Sequence, residues 1–440
     1  MLFHNPLFLL AFLPIVFILF FFISKNKKNV RMYLLIFAGI IFYSVWNFKL
    51  SPIIVVSILI NYYFGKKISD TLSAIIKKKI LIISIIFNII FLAFFKYADF
   101  IIFNLNIIFS SNFEFLNFPF PLALSFVTFQ TIAYLVDCYD GNIIKHNLRK
   151  YSLFIIFFPQ LIAGPIVRYN SMISQFEDKK NSSIIYKNIC IGLIVIAIGI
   201  IKKVLIADNL SILVDQGHNI NEQLSFIESW LISTSFTFQL YFDFSGYIDM
   251  ATGIALLFNI NLPQNFDSPF KATSIINFWQ RWHITLTNFL TNYIYNPLLR
   301  SFRKLTFYKS MLGTFIVFII AGLWHGPSWL FIIFGGLHGV GIIVNQIFKK
   351  FFVFKINKII AQIFTFLYIN FTFIFFRSEN IEAALRIING MFNLSGTAEL
   401  SFLNLSTNSI YAFVASILVC FVCKNTNFII IQLRQKNILD

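Results

Sequence analysis

The chain has 440 residues, of which 58% are hydrophobic and 12% are charged, with a formal net charge of +17; an average soluble domain has roughly 25% charged residues. This composition excludes an ordinary soluble enzyme, which needs more polar residues at its surface, and it excludes intrinsic disorder, which requires low hydrophobicity. The basic residues form no long separate block, so positive loops on one face of a membrane explain the charge better than a nucleic-acid partner does. We therefore predict an all-α, polytopic membrane protein.

Apolar runs approaching the roughly 20 residues that a membrane span needs recur along the chain. We predict eleven spans, near residues 6–24, 31–48, 51–65, 80–97, 119–138, 188–206, 224–244, 308–325, 327–347, 357–376 and 405–423. Basic residues follow the first run rather than precede it, which indicates a retained helix with its N-terminus outside. The alternation then places 29 of the 35 Lys and Arg residues inside, together with the C-terminus, in agreement with the positive-inside rule.

Two of the inner segments are too apolar to be plain loops. Residues 151–168 carry Pro159, Gly164 and Pro165 in the middle, which predicts a broken helix that enters the membrane and returns. Residues 263–305 mix apolar and basic residues, which predicts amphipathic and interfacial helices along the inner surface. Residues 389–404 are the most loop-like stretch.

His325 is the first candidate for chemistry, in the sequence AGLWHGPSW. Gly326 and Pro327 predict a helix break directly after it, with Trp324 and Trp329 nearby. An imidazole titrates near neutral pH and can take a proton from a hydroxyl. The local sequence leaves open a second interpretation, a helix-end histidine bonded to a backbone carbonyl.

His283 is the second candidate, in NFWQRWHITLTNFLTNYIYNPL. Apolar and aromatic residues at three- and four-residue steps (Phe278, Trp282, Thr285, Phe289) predict one helix. With Arg281 and the basic residues nearby, this helix is either an interfacial anchor with an aromatic belt or a basic entrance for a phosphate-bearing ligand. A third histidine, His338 in GGLHG, indicates close helix packing.

Polar residues also lie beside apolar runs in QLYFDFSGYIDMATG, residues 239–253, which contains Gln239, Asp243, Ser245 and Asp249. Buried carboxylates need partners, so Asp243 or Asp249 is predicted to pair with an arginine or to orient a histidine. A purely structural polar network is the alternative. We predict no metal site, because neither His325 nor His338 has other ligands at a suitable spacing.

Taken together, these motifs resemble the membrane-bound O-acyltransferase (MBOAT) family, in particular its bacterial alginate and peptidoglycan O-acetylation branch. The carrying segments are residues 125–141, 157–169, 241–270, 278–298, 322–339 and 375–391, in the order in which the family has them. Gln280 departs from the pattern, since the branch usually has arginine there. The resemblance implies the MBOAT fold in a single membrane domain, 1–440, with N-terminal helices at 1–120, a catalytic core at 121–391 and a C-terminal loop and last membrane helix at 392–440.

The resemblance also implies an activity: an acyl group, in this branch acetyl, passes from a cytoplasmic thioester such as acetyl-CoA to a cell-surface or periplasmic polysaccharide. His325 falls on the family's invariant histidine and His283 on its second one. We expect His325 to act as general base and His283 to position the thioester or to stabilise the oxyanion. Supporting roles are expected for Trp324, Arg281, Trp282, Asp243, Ser245 and Gln239.

The expected partners are membrane lipid, the polysaccharide acceptor and a periplasmic esterase-like acetyltransferase, with no bound cofactor. The expected location is the bacterial cytoplasmic (inner) membrane. Two alternatives remain open at the level of sequence. One is D-alanyl transfer to teichoic acid, and the other is a lipid or polysaccharide transporter.

Overall fold

The structure is a computed structural model that describes residues 3–23, 27–220, 222–351, 356–393, 403 and 405–435. Within these ranges every regular element is a helix, so the all-α prediction is confirmed. The described residues divide into two compact units, one within Met1–Ile196 and Met250–Pro263 and the other within Ala197–Asp249 and Gln264–Lys436. The division falls inside the segment predicted as the core, 121–391. Of the predicted loop at 389–404, residues 394–402 and 404 lie outside the described residues.

The first unit consists of helices from the N-terminal half of the chain and the end of one later helix. Its helices are Phe8–Ile23 (with π-helical turns at Phe8–Phe12 and Leu19–Ile23), Lys28–Ser44, Ser51–Asp70 (preceded by the 3-10 turn Phe48–Leu50), Ala74–Phe109, Leu124–Tyr139, Leu148–Ile156, Phe158–Leu161, Tyr169–Glu177, the 3-10 turn Lys179–Ser182 and most of Tyr186–Ile200. Its centre is aromatic: the Phe158 ring lies 6.2 Å from Phe8, 5.9 Å from Phe42 and 5.8 Å from Phe258. Such ring contacts fill a core without polar groups that would need partners.

A reciprocal amide pair joins two long helices of this unit. Asn61 donates to Asn88 Oδ1 at 3.1 Å, and Asn88 donates to Asn61 Oδ1 at 2.7 Å. Each side chain also donates to the carbonyl four residues earlier in its own helix, Ser57 and Ser84 respectively. Both side chains are buried, so the pairing removes the cost of placing two amides in an apolar environment.

The break predicted within 151–168 is present. Helix Leu148–Ile156 ends before a single helical turn, Phe158–Leu161, which has Pro159 in its first turn. Gly164 packs so closely on the backbone of Gln160 that a Cβ atom could not fit. The segment is buried in protein, which is where irregular backbone is tolerated in a membrane protein.

The second unit holds most of the residues expected to do chemistry. Its elements are the π-helical turn Ile201–Ala207, Asp208–Asn219, most of Phe226–Leu257, the 3-10 turn Pro269–Lys271, Ile275–Trp279, Ile284–Leu290, the π-helical turn Thr291–Tyr295, Asn296–Ser301, Phe307–His325, Trp329–Phe351, Lys358–Arg377, Ile381–Phe392, Thr407–Phe421 and Thr426–Gln435. The buried core of this unit combines Phe238, Tyr241 and Phe242 with Phe278 and Phe373. Long helices and short ones therefore pack together in this core, and a second buried cluster contains Leu213, Ile232, Ile374 and Ile387.

Fewer helices qualify as membrane spans than the eleven predicted. Among the described residues six are long and apolar enough: Phe48–Asp70, Ala74–Phe109, Tyr186–Asn219, Phe307–His325, Trp329–Phe351 and Lys358–Arg377. Thr407–Phe421 with Thr426–Gln435, bent by 58°, would make a seventh. Lys28–Ser44 has 17 residues and Leu124–Tyr139 has 16, and at 1.5 Å per residue each covers only about 25 Å.

Apart from its first two residues, the predicted span 224–244 lies within Phe226–Leu257, a helix of 32 residues. It is not among the six because Glu228, Asp243, Asp249 and several hydroxyl residues are spread along it. The predicted bounds 224–244 reflect local apolar character alone and do not give the length of the helix.

Candidate active site

His325 is the last residue of helix Phe307–His325, as the Gly-Pro break predicts. Gly326 is extended, and the next helix begins at Trp329. The two helices form a close hairpin because Gly322 and Gly335 face each other, and a Cβ on either would collide with the backbone of the opposite helix. The glycines therefore bring the helices together just where the imidazole leaves the first one.

Aromatic rings surround the His325 imidazole. Their centroids lie 4.9 Å away for Trp324, 5.0 Å for Phe376, 5.8 Å for Phe334 and 6.3 Å for Phe331. The ring itself is only partly buried. Such a wall excludes water from one side of a reactive group while leaving it reachable.

His283 does not lie in a continuous helix, and that prediction is wrong. Helix Ile275–Trp279 ends, a turn follows, and a second helix, Ile284–Leu290, begins after His283. The φ angle of His283 is +44°, in the left-handed region, which costs a residue with a side chain about 1 kcal/mol or more. Contacts outside the turn must therefore hold it.

Asn265 supplies those contacts, and the sequence interpretation missed it. Its carbonyl accepts from Ile284 N at 3.0 Å. Its Oδ1 accepts from Thr285 N at 3.1 Å and from Thr285 Oγ1 at 2.8 Å, and lies 3.2 Å from His283 Nδ1. Asn265 is 1% exposed and His283 is 2% exposed. The only sequence signal was an asparagine within the quoted segment 241–270, with no periodic relation to His283.

The structure brings both predicted histidines into contact with one indole. The Trp324 ring lies 4.9 Å from His325 and 6.1 Å from His283, and Phe244 covers His283 at 4.9 Å. His283 lies outside the candidate spans, and its burial, together with the nearby His325, lowers its pKa to about 3. A neutral imidazole is therefore the resting form of His283 at physiological pH.

Arg281 and Trp282 differ in environment although they are adjacent. Trp282 is buried among Phe266, Phe278 and Phe373 at 5.0–5.5 Å, so it is a core residue. The prediction that this segment lies along the surface is therefore wrong for residues around 275–290. Arg281 is half-buried and donates to the Asp267 carbonyl at 3.0 Å and to Asn277 Oδ1 at 3.2 Å.

Asp243 and Asp249, on the helix Phe226–Leu257, pair with lysines rather than with arginine or histidine, which fits the structural alternative. Asp243 binds Lys203 at 2.5 Å and is half exposed. Asp249 binds Lys202 at 2.6 Å and accepts from Thr426 at 2.7 Å, and this group is buried. The two lysines lie in the candidate span Tyr186–Asn219, where a basic residue needs a compensating charge.

Gln239 and Ser245 lie on the same helix as Asp243 and Asp249. Phe236 contacts Phe376, which contacts His325, and Gln239 follows Phe236 by three residues, on the same side of the helix. Its Oε1 is buried without a hydrogen-bond partner among the described residues. Ser245 is buried next to Phe244, the residue that packs on His283.

A cavity of about 200 Å³ lies elsewhere in the same unit. Its lining includes Lys202, Tyr241, Phe270, Cys420 and Thr426. None of the predicted site residues is part of that lining. The candidate active site is instead the arrangement around Trp324, because two imidazoles and an aromatic wall meet there in a way that suits proton transfer.

Comparison with known proteins agrees with this geometry. The model of the membrane-bound O-acyltransferase family, MBOAT, matches residues 32–385. This chain belongs to the MBOAT family. The match begins well before residue 125, the first segment in which the motifs were recognised, and the acyltransferase class predicted from them is confirmed.

Individual relatives narrow the comparison. A peptidoglycan O-acetyltransferase of Helicobacter pylori is 44% identical over 90% of this chain and 81% of its own length. A probable alginate O-acetylase AlgI of Pseudomonas aeruginosa is 32% identical over 92% and 77%. A teichoic acid D-alanyltransferase of Bacillus subtilis is 29% identical over 52% and 60%. The chain is thus an O-acyltransferase of a membrane-bound type.

Proposed function

We propose that this protein transfers an acetyl group from a cytoplasmic thioester, acetyl-CoA or a related donor, for O-acetylation of a cell-surface polysaccharide, with peptidoglycan as the first acceptor to test. The observation that carries the proposal is His325, which ends a membrane helix inside an aromatic wall one indole away from His283. The relative that is a peptidoglycan O-acetyltransferase supports the choice of acceptor. Alginate is the second choice, from the alginate relatives.

In the proposed reaction His325 takes the proton of the acceptor hydroxyl as its oxygen attacks the thioester carbonyl. The new C–O bond forms, the C–S bond breaks, and the thiolate recovers a proton. Trp324, packed 4.9 Å from the imidazole, holds the ring of the base. The transferred group reaches the glycan directly or through a periplasmic esterase-like partner.

We further propose that the protein lies in the bacterial cytoplasmic membrane, with its N-terminus outside and its C-terminus inside. The distribution of basic residues supports this orientation: 29 of 35 lie in segments assigned to one side. Arg300, Arg303 and Lys304 are exposed, which suits attraction of an anionic donor. Membership of an acyltransferase family argues against the transporter alternative.

The test uses the full-length protein in proteoliposomes with acetyl-CoA labelled in the acetyl group and peptidoglycan fragments as acceptor. Base-labile label on the glycan is measured, with and without the periplasmic partner if the organism supplies one. We expect His325→Ala to lower transfer by about 10²- to 10⁴-fold. His338→Gln, a buried histidine of the same unit, is the control.

Full transfer by His325→Ala protein that inserts normally would refute the role of His325. Label from a D-alanyl thioester, but not from acetyl-CoA, would assign the protein to the teichoic acid reaction instead.

A further inference from the structure

We propose that Asn265 is a positioning residue for His283, which it holds as the neutral tautomer that carries its proton on Nδ1 and its lone pair on Nε2. The catalytic meaning of this inference rests on the proposed function, whereas the tautomer itself does not. It adds to the site a residue that lies 18 positions before the histidine in sequence.

The orientation of the Asn265 amide follows from Thr285. The backbone N–H of Thr285 can only donate, and it lies 3.1 Å from the amide atom assigned as Oδ1. The Thr285 hydroxyl donates to the same atom at 2.8 Å. The opposite orientation would place the amide NH₂ against a backbone N–H, two donors facing each other. The atom next to Thr285 is therefore the oxygen.

The position of the histidine proton follows from that oxygen. His283 Nδ1 lies 3.2 Å from Oδ1 of Asn265, and a carbonyl oxygen can only accept. In a neutral imidazole one nitrogen is a donor and the other an acceptor, so Nδ1 carries the proton. Nε2 is then the nitrogen that can accept a hydrogen bond or a proton.

The turn around His283 keeps this geometry fixed. Asn265 O accepts from Ile284 N at 3.0 Å, and Asp267 N donates to Arg281 O at 2.9 Å. The segment beginning at Asn265 is thus bonded to both sides of the histidine. These bonds offset the left-handed backbone of His283, and they leave its ring little freedom to rotate away from Oδ1.

The ionisable groups around His283 do not oppose a neutral ring. Phe244 covers it from the helix Phe226–Leu257, and Trp324 contacts it from the helix Phe307–His325, whose last residue, His325, lowers the pKa of His283. Arg281, two residues before His283, lies 3.7 Å from the Asp267 carboxylate, which also accepts a hydrogen bond from Asn425. The Asp267 carboxylate is therefore directed to Arg281 and Asn425, not to His283.

The tautomer decides between the two roles expected for His283. An oxyanion needs a donor, and in this tautomer the only ring N–H of His283 is bonded to Asn265. Nε2 instead accepts from an amide N–H of the thioester donor, while His325 takes the proton of the acceptor hydroxyl, the new C–O bond forms, the C–S bond breaks and the thiolate recovers a proton. His283 thus positions a substrate, and Asn265 positions His283.

The direct test is ¹⁵N NMR of the full-length protein labelled at histidine nitrogens, with the His283 signals assigned by comparison with His283→Gln. We expect a protonated Nδ1 and a non-protonated Nε2 in the wild type at pH 7. In Asn265→Ala we expect a mixture of both tautomers. A wild-type His283 protonated on Nε2 would overturn the proposal, whatever the activity of the protein.

The kinetic test uses acetyl-CoA and peptidoglycan fragments over a range of pH. Asn265→Ala is expected to lower kcat by up to about 100-fold, because His283 then no longer holds the substrate in the reactive geometry, with a smaller change in KM. Asn265→Asp keeps the acceptor, but its carboxylate favours the imidazolium and so raises the pKa of His283. We expect this variant to approach wild-type activity at high pH and to lose activity on acidification.

The control for a merely structural effect is Asn370→Ala. Asn370 is also fully buried and bonds Thr237 and Ser233 on another helix, without a histidine contact. An equal, pH-independent loss in Asn265→Ala, Asn265→Asp and Asn370→Ala would refute the positioning role. Absence of transfer in the wild type would count against the proposed function alone, because the NMR result decides the tautomer by itself.

Discussion

His283 and His338 are both buried imidazoles of the same unit, yet the protein gives them opposite tautomers. At His338 the partner of Nδ1 is the Trp279 indole, at 3.2 Å, which can only donate. Nδ1 is therefore the acceptor, and Nε2–H donates to Thr372 Oγ1 at 3.1 Å. Thr372 in turn donates to the Ile369 carbonyl at 2.8 Å.

The comparison shows that the type of partner, not burial, separates the two histidines. The protein uses both nitrogens of His338 to tie three helices together, Ile275–Trp279, Trp329–Phe351 and Lys358–Arg377, so that residue is structural, in agreement with the packing role predicted from GGLHG. At His283 an acceptor opposite Nδ1 leaves Nε2 as a hydrogen-bond acceptor for a substrate. The same residue type thus holds helices together at position 338 and is available to bind a substrate at position 283.

The largest expected effect comes from replacing each histidine by glutamine. His283→Gln is expected to lower kcat by about 100-fold, because glutamine does not place a hydrogen-bond acceptor where Nε2 lies and the substrate is then misplaced. His338→Gln is expected to keep kcat close to wild type and to lower the unfolding temperature instead. Acetyl transfer and thermal unfolding, measured on the same proteoliposome preparations, check both. Equal losses of kcat in the two variants would show that the two histidines do not differ in function.

A second prediction extends the comparison to buried charges. Lys202, 9% exposed, depends on Asp249 as His338 depends on Trp279 and Thr372. Lys202→Met leaves a buried carboxylate without its cation and is expected to destabilise the protein by about 3–5 kcal/mol.

The double variant Lys202→Met/Asp249→Leu is expected to recover most of that loss. Lys203→Met is the matched control, because Asp243 and Asp208, its partners, are about half exposed, and about 0–1 kcal/mol is expected there. Unfolding in detergent measures all three. A double variant less stable than the single one would contradict the interpretation.

The smallest effect concerns pH. The folded-state pKa of His283 is lowered to about 3, below the unfolded value of about 6.5. The unfolded chain therefore binds more protons between these values, and this contribution to stability is complete above about pH 6.5 and is lost as the pH falls. The slope is at most about 1.4 kcal/mol per pH unit.

His283→Gln is expected to remove that part of the pH dependence of stability, and Asn370→Ala, which removes a buried side chain but no titratable group, serves as the comparison. Unfolding temperatures measured from pH 8 to pH 5 check this. An unchanged slope in His283→Gln would show that the ring is not held neutral by the fold.

The sequence by itself determined what depends on local chemistry. Apolar content predicted a helical membrane protein, Gly326 and Pro327 predicted the helix end at His325, and Pro159 and Gly164 predicted the broken helix before Arg168. Each of these follows from backbone restrictions or from the solvent preference of side chains close together in the chain. The family followed from the order of its motifs.

Only the tertiary structure decided which side chains are hydrogen-bond and ion-pair partners. The spacing of Phe278, Trp282, Thr285 and Phe289 fits one helix, but a buried aromatic pattern does not distinguish a continuous helix from two helices separated by one left-handed residue. Asn265, 18 residues before His283, stabilises the left-handed turn because it bonds the backbone of Ile284 and also the ring of His283. The Lys202–Asp249 pair spans 47 residues. Periodicity carries no information about hydrogen bonds and ion pairs at such separations, because they form only when distant helices pack together.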